Sequence, residues 1–198
     1  LELFAKEHDL LIVSIADLIE YRLQRDRLVE HVVTTELELT GNSESAVFQA
    51  HLYRAIPGVK RREYLALALG DLKNGDQVPV RCHVGSLVED VLGTRIRKKS
   101  PSVKEIIDGI IRRGRGVLLY LPSRDSIAVE FNTLVQDAAA VRRPGDKEGE
   151  IREYGIGAQI LLDMGIEKMQ VISNNPSRLV GLEAYGMKSV ERITLEEL

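Results

Sequence analysis

Apolar and polar residues alternate with a period of two over much of the stretch from residue 31 to residue 84, a pattern typical of half-buried β-strands. Asn74-Gly75 lies between two such runs and favours a tight hairpin turn, because both positions tolerate positive φ. We therefore expect residues 31–84 to form an antiparallel sheet. The pattern is carried by Val33, Leu37, Leu39, Phe48, Leu52, residues 64–69 and residues 78–84.

After residue 100, helical stripes alternate with short apolar strands. The first helix is expected to begin at Ser100-Pro101, where the missing N–H of proline costs nothing, and to end at Gly114. The whole pattern predicts a mixed α/β (α+β) fold, in which an antiparallel β segment precedes alternating helices and strands. The later elements are a strand over residues 117–121, a helix over 128–141, a charged loop over 142–149, a helix around 156–164 closed by Gly165, a strand over 170–173, a helix from Asn174-Asn175-Pro176 and a strand over 189–193.

The first 30 residues have a different pattern. Residues 10–13 predict a short strand, and Ser14 with Asp17 forms a capping box that predicts an amphipathic helix. A charged run over residues 24–27 follows, so we place a domain boundary near residue 30. Because the first methionine is Met164, we expect the chain to be part of a longer polypeptide.

Composition narrows the classes of function. The chain has 198 residues, 44% hydrophobic and 29% charged, as expected for a soluble globular protein. A net charge of -3 gives no basis for expecting nucleic acid or a membrane surface as a partner, and no apolar run approaches the roughly 20 residues that span a bilayer. The single cysteine, Cys82, argues against a secreted disulfide scaffold, so we expect a cytoplasmic protein.

Three collinear stretches resemble the GTP cyclohydrolase II family. They are GRGVLLY at residues 114–120, VISNNP at residues 171–176 and the segment from Tyr185 to Ile193. Upstream, residues 4–8 and 15–22 resemble the end of dihydroxybutanone phosphate synthase, which precedes the cyclohydrolase in fused riboflavin-biosynthesis proteins. The resemblance implies that residues 1–30 are the C-terminal end of a synthase domain plus a linker. It also implies that residues 31–198 are a GTP cyclohydrolase II-like domain.

The resemblance implies zinc chemistry that this sequence does not support. Members of the family open the guanine ring of GTP, releasing formate and pyrophosphate, with zinc held in a Cys-x10-Cys-x-Cys pattern. Counting back from Gly114 places the three cysteine positions at Ser86, Arg97 and Lys99, none of which suits zinc. Cys82 and His83 are adjacent, so on a strand they face opposite sides. We therefore expect no metal site and no cofactor.

Other positions of the family's site are retained in part. The resemblance implies Glu150 and Arg152 as remnants of a catalytic pair. Arg152 is better explained as an exposed arginine near a helix start, paired with Glu148 or Glu150, and His83 is better explained as a hydrogen-bonded strand histidine. The positions implied to bind substrate are Arg81, His83, Ser173 and Arg178.

Together these observations predict a degenerate GTP cyclohydrolase II-like domain that does not open GTP. Its expected role is structural or regulatory, for a dihydroxybutanone phosphate synthase domain of the same polypeptide. The family implies a homodimer, and the basic positions leave GTP or phosphate as a possible ligand. Two alternatives stay open: an active GTP cyclohydrolase II whose metal is held differently, and a nucleotide-binding module without turnover.

Overall fold

A computed structural model describes residues 1–13, 21, 25–56, 62–73, 76–94, 101–123, 126–135, 147–173, 186–195 and 197–198, without the side chains of residues 133–135, 147–154 and 189. Its regular elements are α1 (Glu2–Glu7), β1 (Val29–Thr40), β2 (Ser45–Ala55), β3 (Glu63–Leu69), β4 (Val78–Val84), a π-helical turn (Leu87–Val91), α2 (Val103–Arg113), β5 (Gly116–Leu121), α3 (Ile127–Val135), α4 (Lys147–Asp163), β6 (Lys168–Ile172) and β7 (Ser189–Ile193).

The described strands form one mixed sheet in the order β1-β2-β3-β5-β4-β6-β7. Strands β1, β2, β3 and β5 pair antiparallel, whereas β5, β4, β6 and β7 pair parallel. This architecture confirms the predicted mixed α/β fold. The prediction that β4 belongs to the antiparallel part was wrong, because β5 lies between β3 and β4. The predicted hairpin at Asn74-Gly75 is therefore wrong as well, although these two residues lie outside the described ranges.

Two hydrophobic layers cover the two faces of the sheet. On one face, Phe48 and Leu118 pack against Ile106 and Ile110 of α2. On the other face, Ile160 and further apolar residues of α4 pack against side chains that include Val80, Val117 and Leu119. Successive residues of β5 therefore point into opposite layers, which explains why its sequence is continuously apolar rather than alternating.

Helix α2 is defined at both ends by its own sequence. The Ser102 hydroxyl accepts a hydrogen bond from the Glu105 N–H, and the Glu105 carboxylate accepts one from the Ser102 N–H, which completes a capping box. The predicted start at Ser100-Pro101 was wrong, because Pro101 precedes this cap instead of occupying the first helical position. The predicted end is confirmed, since Gly114 has the left-handed conformation with φ of 69°.

Two further predictions require correction. Residues 10–13 form no strand, and their side chains are 55–94% exposed with no neighbouring strand among the described residues. Lys147, Glu148 and Gly149 belong to α4, because the helix begins earlier than the charged-loop pattern indicated. The capping pair Ser14 and Asp17 and the segment 174–176 lie outside the described residues. Over the described residues, no helix is long and apolar enough to cross a membrane.

Replacing Ile110 with alanine tests the packing of α2. Ile110 is fully buried against the sheet, so the truncation is expected to lower the free energy of unfolding by about 2–5 kcal/mol. Ile127→Ala is the matched control: Ile127 is 57% exposed, and its truncation should change the free energy by no more than about 0.5 kcal/mol. Urea denaturation measures both, and equal effects of the two substitutions would contradict the assigned layer.

Candidate functional site

The carboxyl ends of β4, β5 and β6 lie at one edge of the sheet. From β4 the chain continues to α2 on one face, whereas after β5 it continues to α4 on the other face. Adjacent parallel strands whose connections leave to opposite faces create a crevice between their ends, where open α/β sheets bind ligands. The candidate site is therefore the crevice between the ends of β4 and β5.

Asp90 is the first of two buried carboxylates in this crevice. Nε2 of His83 lies 2.8 Å from its Oδ1, and its Oδ2 accepts hydrogen bonds from the Ser86 N–H at 2.9 Å and the Tyr120 hydroxyl at 2.8 Å. The side chains of His83 and Asp90 are only 7% and 8% exposed. Since an ionised carboxylate only accepts, this geometry requires the proton of the His83 ring to be on Nε2.

Glu130 of α3 is the second buried carboxylate. Its Oε2 accepts hydrogen bonds from the Ser86 hydroxyl at 2.9 Å and the Val88 N–H at 3.2 Å, and its Oε1 accepts one from the Ser123 hydroxyl at 3.1 Å. The Ser86 hydroxyl also accepts a hydrogen bond from the Glu89 N–H at 3.2 Å. Ser86 thus joins both carboxylates, through its backbone to Asp90 and through its side chain to Glu130. We refer to His83, Ser86, Asp90, Tyr120, Ser123 and Glu130 as the strand-end network.

The ionisation of this network follows from its contacts. Burial raises the pKa of Asp90, but the hydrogen bonds from His83, Ser86 and Tyr120 outweigh burial and leave that pKa below its ordinary value. Burial and the Asp90 carboxylate together raise the pKa of the Tyr120 phenol, which therefore stays protonated and donates. At neutral pH the network consequently contains a carboxylate anion at Asp90, held by three donors.

The hydrogen bond from Tyr120 to Asp90 depends on a close approach between the Gly85 backbone and the Tyr120 ring. A Cβ atom on Gly85 would overlap the hydroxyl and ring of Tyr120. Gly85 therefore leaves the space through which Tyr120 reaches Asp90.

The positions predicted to bind substrate lie partly at this edge. The Arg81 guanidinium donates a hydrogen bond to the carbonyl oxygen of Ile172 at 2.8 Å, which brings it beside the buried Ser173 at the end of β6. His83 belongs to the strand-end network. Glu150 and Arg152 lie on α4, with side chains outside the description, and Arg178 lies outside the described residues. The structure thus places Arg81 beside Ser173. That any of the predicted positions binds substrate stays a prediction.

The donor set in the crevice does not fit zinc. Ser86, the first implied cysteine position, has a buried hydroxyl that already donates to Glu130 and accepts from Glu89. Burial raises the pKa of the Cys82 thiol to about 11, against the opposing effect of Arg81, so the thiolate that binds metal is scarce at neutral pH. Within the described ranges, no three His, Cys, Asp or Glu side chains are grouped to hold a metal ion. Arg97 and Lys99 lie outside those ranges, and the expectation that the crevice holds no zinc stays a prediction.

Asp90, Tyr120, Ser123 and Glu130 were not identified from the sequence. Asp90 is the fourth residue after Ser86, and the Ser86-x-x-Glu89 spacing is a capping signal that marks the start of a turn. That signal locates the turn but not its partners. Tyr120 and Glu130 belong to separate elements, and only the placement of β5 beside β4 brings them to the crevice.

The protein therefore belongs to the class of open-sheet α/β proteins, which have a polar crevice at the carboxyl ends of their parallel strands. The chain belongs to the GTP cyclohydrolase II family, since its sequence matches that family over residues 31–194.

Two curated relatives are similar over 98% of this chain. It is 35% identical to the riboflavin biosynthesis protein RibBA of Aquifex aeolicus, covering 48% of that protein. It is 36% identical to a probable monofunctional riboflavin biosynthesis protein, RIBA 3, of Oryza sativa subsp. japonica, covering 37% of it. The chain thus spans less than half the length of these relatives.

One solved structure has the same fold over nearly the whole chain. It is RibBX of A. baumannii, described as a two-domain 3,4-dihydroxy-2-butanone 4-phosphate synthase. The TM-score is 0.63 and the sequence identity 30%, with 98% of this chain and 48% of RibBX covered. The chain is therefore similar to about half of a two-domain protein.

Asp90→Asn tests the strand-end network. The amide replaces one acceptor with a donor that faces existing donors, so we expect the free energy of unfolding at pH 7 to fall by about 2–4 kcal/mol. The folded-state pKa of Asp90 lies below the ordinary value of 3.8, so its stabilisation is complete above that pH and is lost as the pH falls through the lowered pKa. The difference between wild type and variant should therefore shrink in acid.

Denaturant melts from pH 7 down to pH 3 measure this difference. Asp76→Asn is the matched control, because the Asp76 side chain is 75% exposed and its change should cost no more than about 0.5 kcal/mol. An Asp90→Asn penalty that is small, or constant with pH, would show that the carboxylate is not held as described.

Proposed function

We propose that this chain is a GTP cyclohydrolase II-like domain that does not open the guanine ring of GTP. Its role is to support or regulate a dihydroxybutanone phosphate synthase domain in the same riboflavin-biosynthesis polypeptide. The domain division at residue 30, a homodimeric state and a cytoplasmic location belong to the same proposal.

The observation that carries the proposal is that both carboxylates in the crevice already accept hydrogen bonds from protein groups. Asp90 and Glu130 each accept three hydrogen bonds from described protein groups, and Ser86 is engaged with both. A general base must be within reach of the proton that it removes and must have an acceptor site available for it. Each carboxylate already uses three of its about four acceptor positions on protein donors, which supports the proposal.

The size of the rate contribution that zinc would make supports the same conclusion. Bound zinc lowers the pKa of water from 15.7 to about 7, whereas a positioned acid or base contributes about 10²–10⁴-fold. The single cysteine of the chain excludes the family's three-cysteine ligand set. Acid–base groups alone therefore fall several orders of magnitude short of the reaction that zinc supports.

The attachment to a synthase is supported by the relatives. RibBX is named for its synthase activity, and this chain corresponds to 48% of its length at 30% identity. The RibBA relative of Aquifex aeolicus is matched over a similar share of its length. RibBX is described by a synthase activity alone although it has two domains, which supports a non-catalytic role for the half that this chain resembles.

Turnover of GTP tests the proposal directly. The purified chain is incubated with GTP and magnesium, with and without added ZnCl2, and formate is quantified beside elemental analysis. We expect no formate above the enzyme-free rate in either condition. A GTP cyclohydrolase II that retains its three cysteines serves as the positive control, and zinc-dependent formate release by this chain would overturn the proposal.

Two further measurements resolve what remains of the ancestral site. Calorimetric titration with GTP distinguishes a nucleotide-binding module from a purely structural domain, and Arg81→Ala should weaken any binding observed.

In the full-length polypeptide, Asp90→Asn should alter synthase activity or its thermal inactivation if this domain supports the synthase. Unchanged behaviour in a variant whose destabilised domain has been verified would contradict the supporting role.

A further inference from the structure

A second cleft lies well away from the strand ends. It has a volume of about 410 Å³ and lies between β1, β2, the loop after β3 and the end of α4. In the sheet order, β3 separates β2 from β5, so this cleft and the strand-end network are built on different strands. Its lining includes two of the four histidines in the chain, His31 and His51.

The two imidazoles converge on one hydroxyl group. Nε2 of His31 is 2.8 Å from Oγ1 of Thr34, and Nδ1 of His51 is 2.9 Å from the same oxygen. The ring centroids are 6.0 Å apart. Two ring nitrogens on separate strands are thus directed at a common point at the mouth of the cleft.

A β-bulge is what brings these side chains together. His31 and Thr34 are three residues apart, so regular alternation would place them on opposite faces of β1. The register shifts between His31 and Val33, leaving Val32 without a partner, while His31 pairs with Tyr53 and Thr34 pairs with His51. The extra residue turns His31 to the face that carries His51. Bulges commonly re-aim a side chain at functional positions.

The carboxylate of Asp163, which also lines the cleft, already contacts other side chains. Asp163 accepts a hydrogen bond from the Tyr53 hydroxyl at 2.9 Å and lies 3.7 Å from the Arg27 guanidinium. Asp71 and Lys73 line the same cleft with opposite charges. Among the described residues, neither carboxylate groups with the two imidazoles to hold a metal ion, so the imidazoles are the protein groups that converge there.

We infer that His31 and His51 form a two-imidazole site for a borderline divalent transition-metal ion, of the class of Ni²⁺, Cu²⁺ and Zn²⁺. Imidazole suits these ions, whereas Mg²⁺ and Ca²⁺ prefer oxygen ligands. Among the described residues no third His, Cys, Asp or Glu joins the pair, so the other coordination positions belong to water or to an added ligand. The open cleft provides the space for them.

Binding requires the two imidazole rings to rotate. A zinc–nitrogen bond is about 2.0–2.1 Å long, shorter than the hydrogen bonds to Thr34, so both rings must turn inward as the hydroxyl withdraws. His31 and Thr34 are exposed, which leaves their torsions free to adjust. This inference does not depend on the proposed function.

Titration with NiCl2 tests the site. The chain is prepared without a histidine tag, and binding is followed by calorimetry for wild type, His31→Ala, His51→Ala and the control His8→Ala. His8 is an exposed imidazole outside the cleft, beside Phe4. We expect one strongly bound ion per chain, weakened roughly tenfold or more by either cleft substitution and unchanged by the control. Thermal melts verify that each variant is folded.

A spectroscopic count of ligands completes the test. The Cu²⁺ complex should show electron paramagnetic resonance coupling to two nitrogens in wild type and in Cys82→Ser, and to one in His51→Ala. The inference is overturned if wild type binds no Ni²⁺, or if His31→Ala and His51→Ala bind as wild type does. It is overturned equally if Cys82→Ser abolishes binding, which would assign the ion to the thiol.

Discussion

The burial of two carboxylates between the ends of β4 and β5 is the constraint on which this domain depends. A buried carboxylate is costly unless its oxygens are hydrogen-bonded. Asp90 and Glu130 meet this condition with donors from the turn after β4, from the end of β5 and from the residues that follow it. The shape of that turn is therefore fixed by the need to direct the N–H groups of Ser86 and Val88 at the carboxylates.

The same constraint separates the fold of the family from its chemistry. The sheet order places a crevice at the strand ends, and the order is maintained by the two apolar layers rather than by any group in the crevice. Ser86 links both carboxylates across the crevice, at a position that the sequence resemblance implies for a metal ligand. A hydrogen-bonded bridge can thus hold the turn in place of a metal, which is consistent with the proposed loss of turnover.

Local signals in the sequence predicted the elements better than their pairing. Alternation identified β1 and β2, and the apolar run of β5 indicated a strand covered on both faces. The hairpin at Asn74-Gly75 failed because a turn signal gives no information about a strand 40 residues later, and β5 inserts between β3 and β4. The strand-end network was missed for the same reason, since Asp90, Tyr120 and Glu130 meet only through that insertion. Arg81 and Ser173 were named from the resemblance, and their role in binding substrate stays a prediction.

The bulge in β1 shows most clearly what a periodic pattern omits. With a strict period of two, His31 and Thr34 fall on opposite faces, and no reading of the sequence would group them with His51. The extra residue, Val32, reverses that assignment for every position before it, while the pairing after it continues regularly to Thr40. The cleft and the strand-end network share no strand, so the register of β1 sets the positions of the two imidazoles independently of the contacts in that network. Register, rather than composition, therefore determines which polar groups this domain can offer to a ligand.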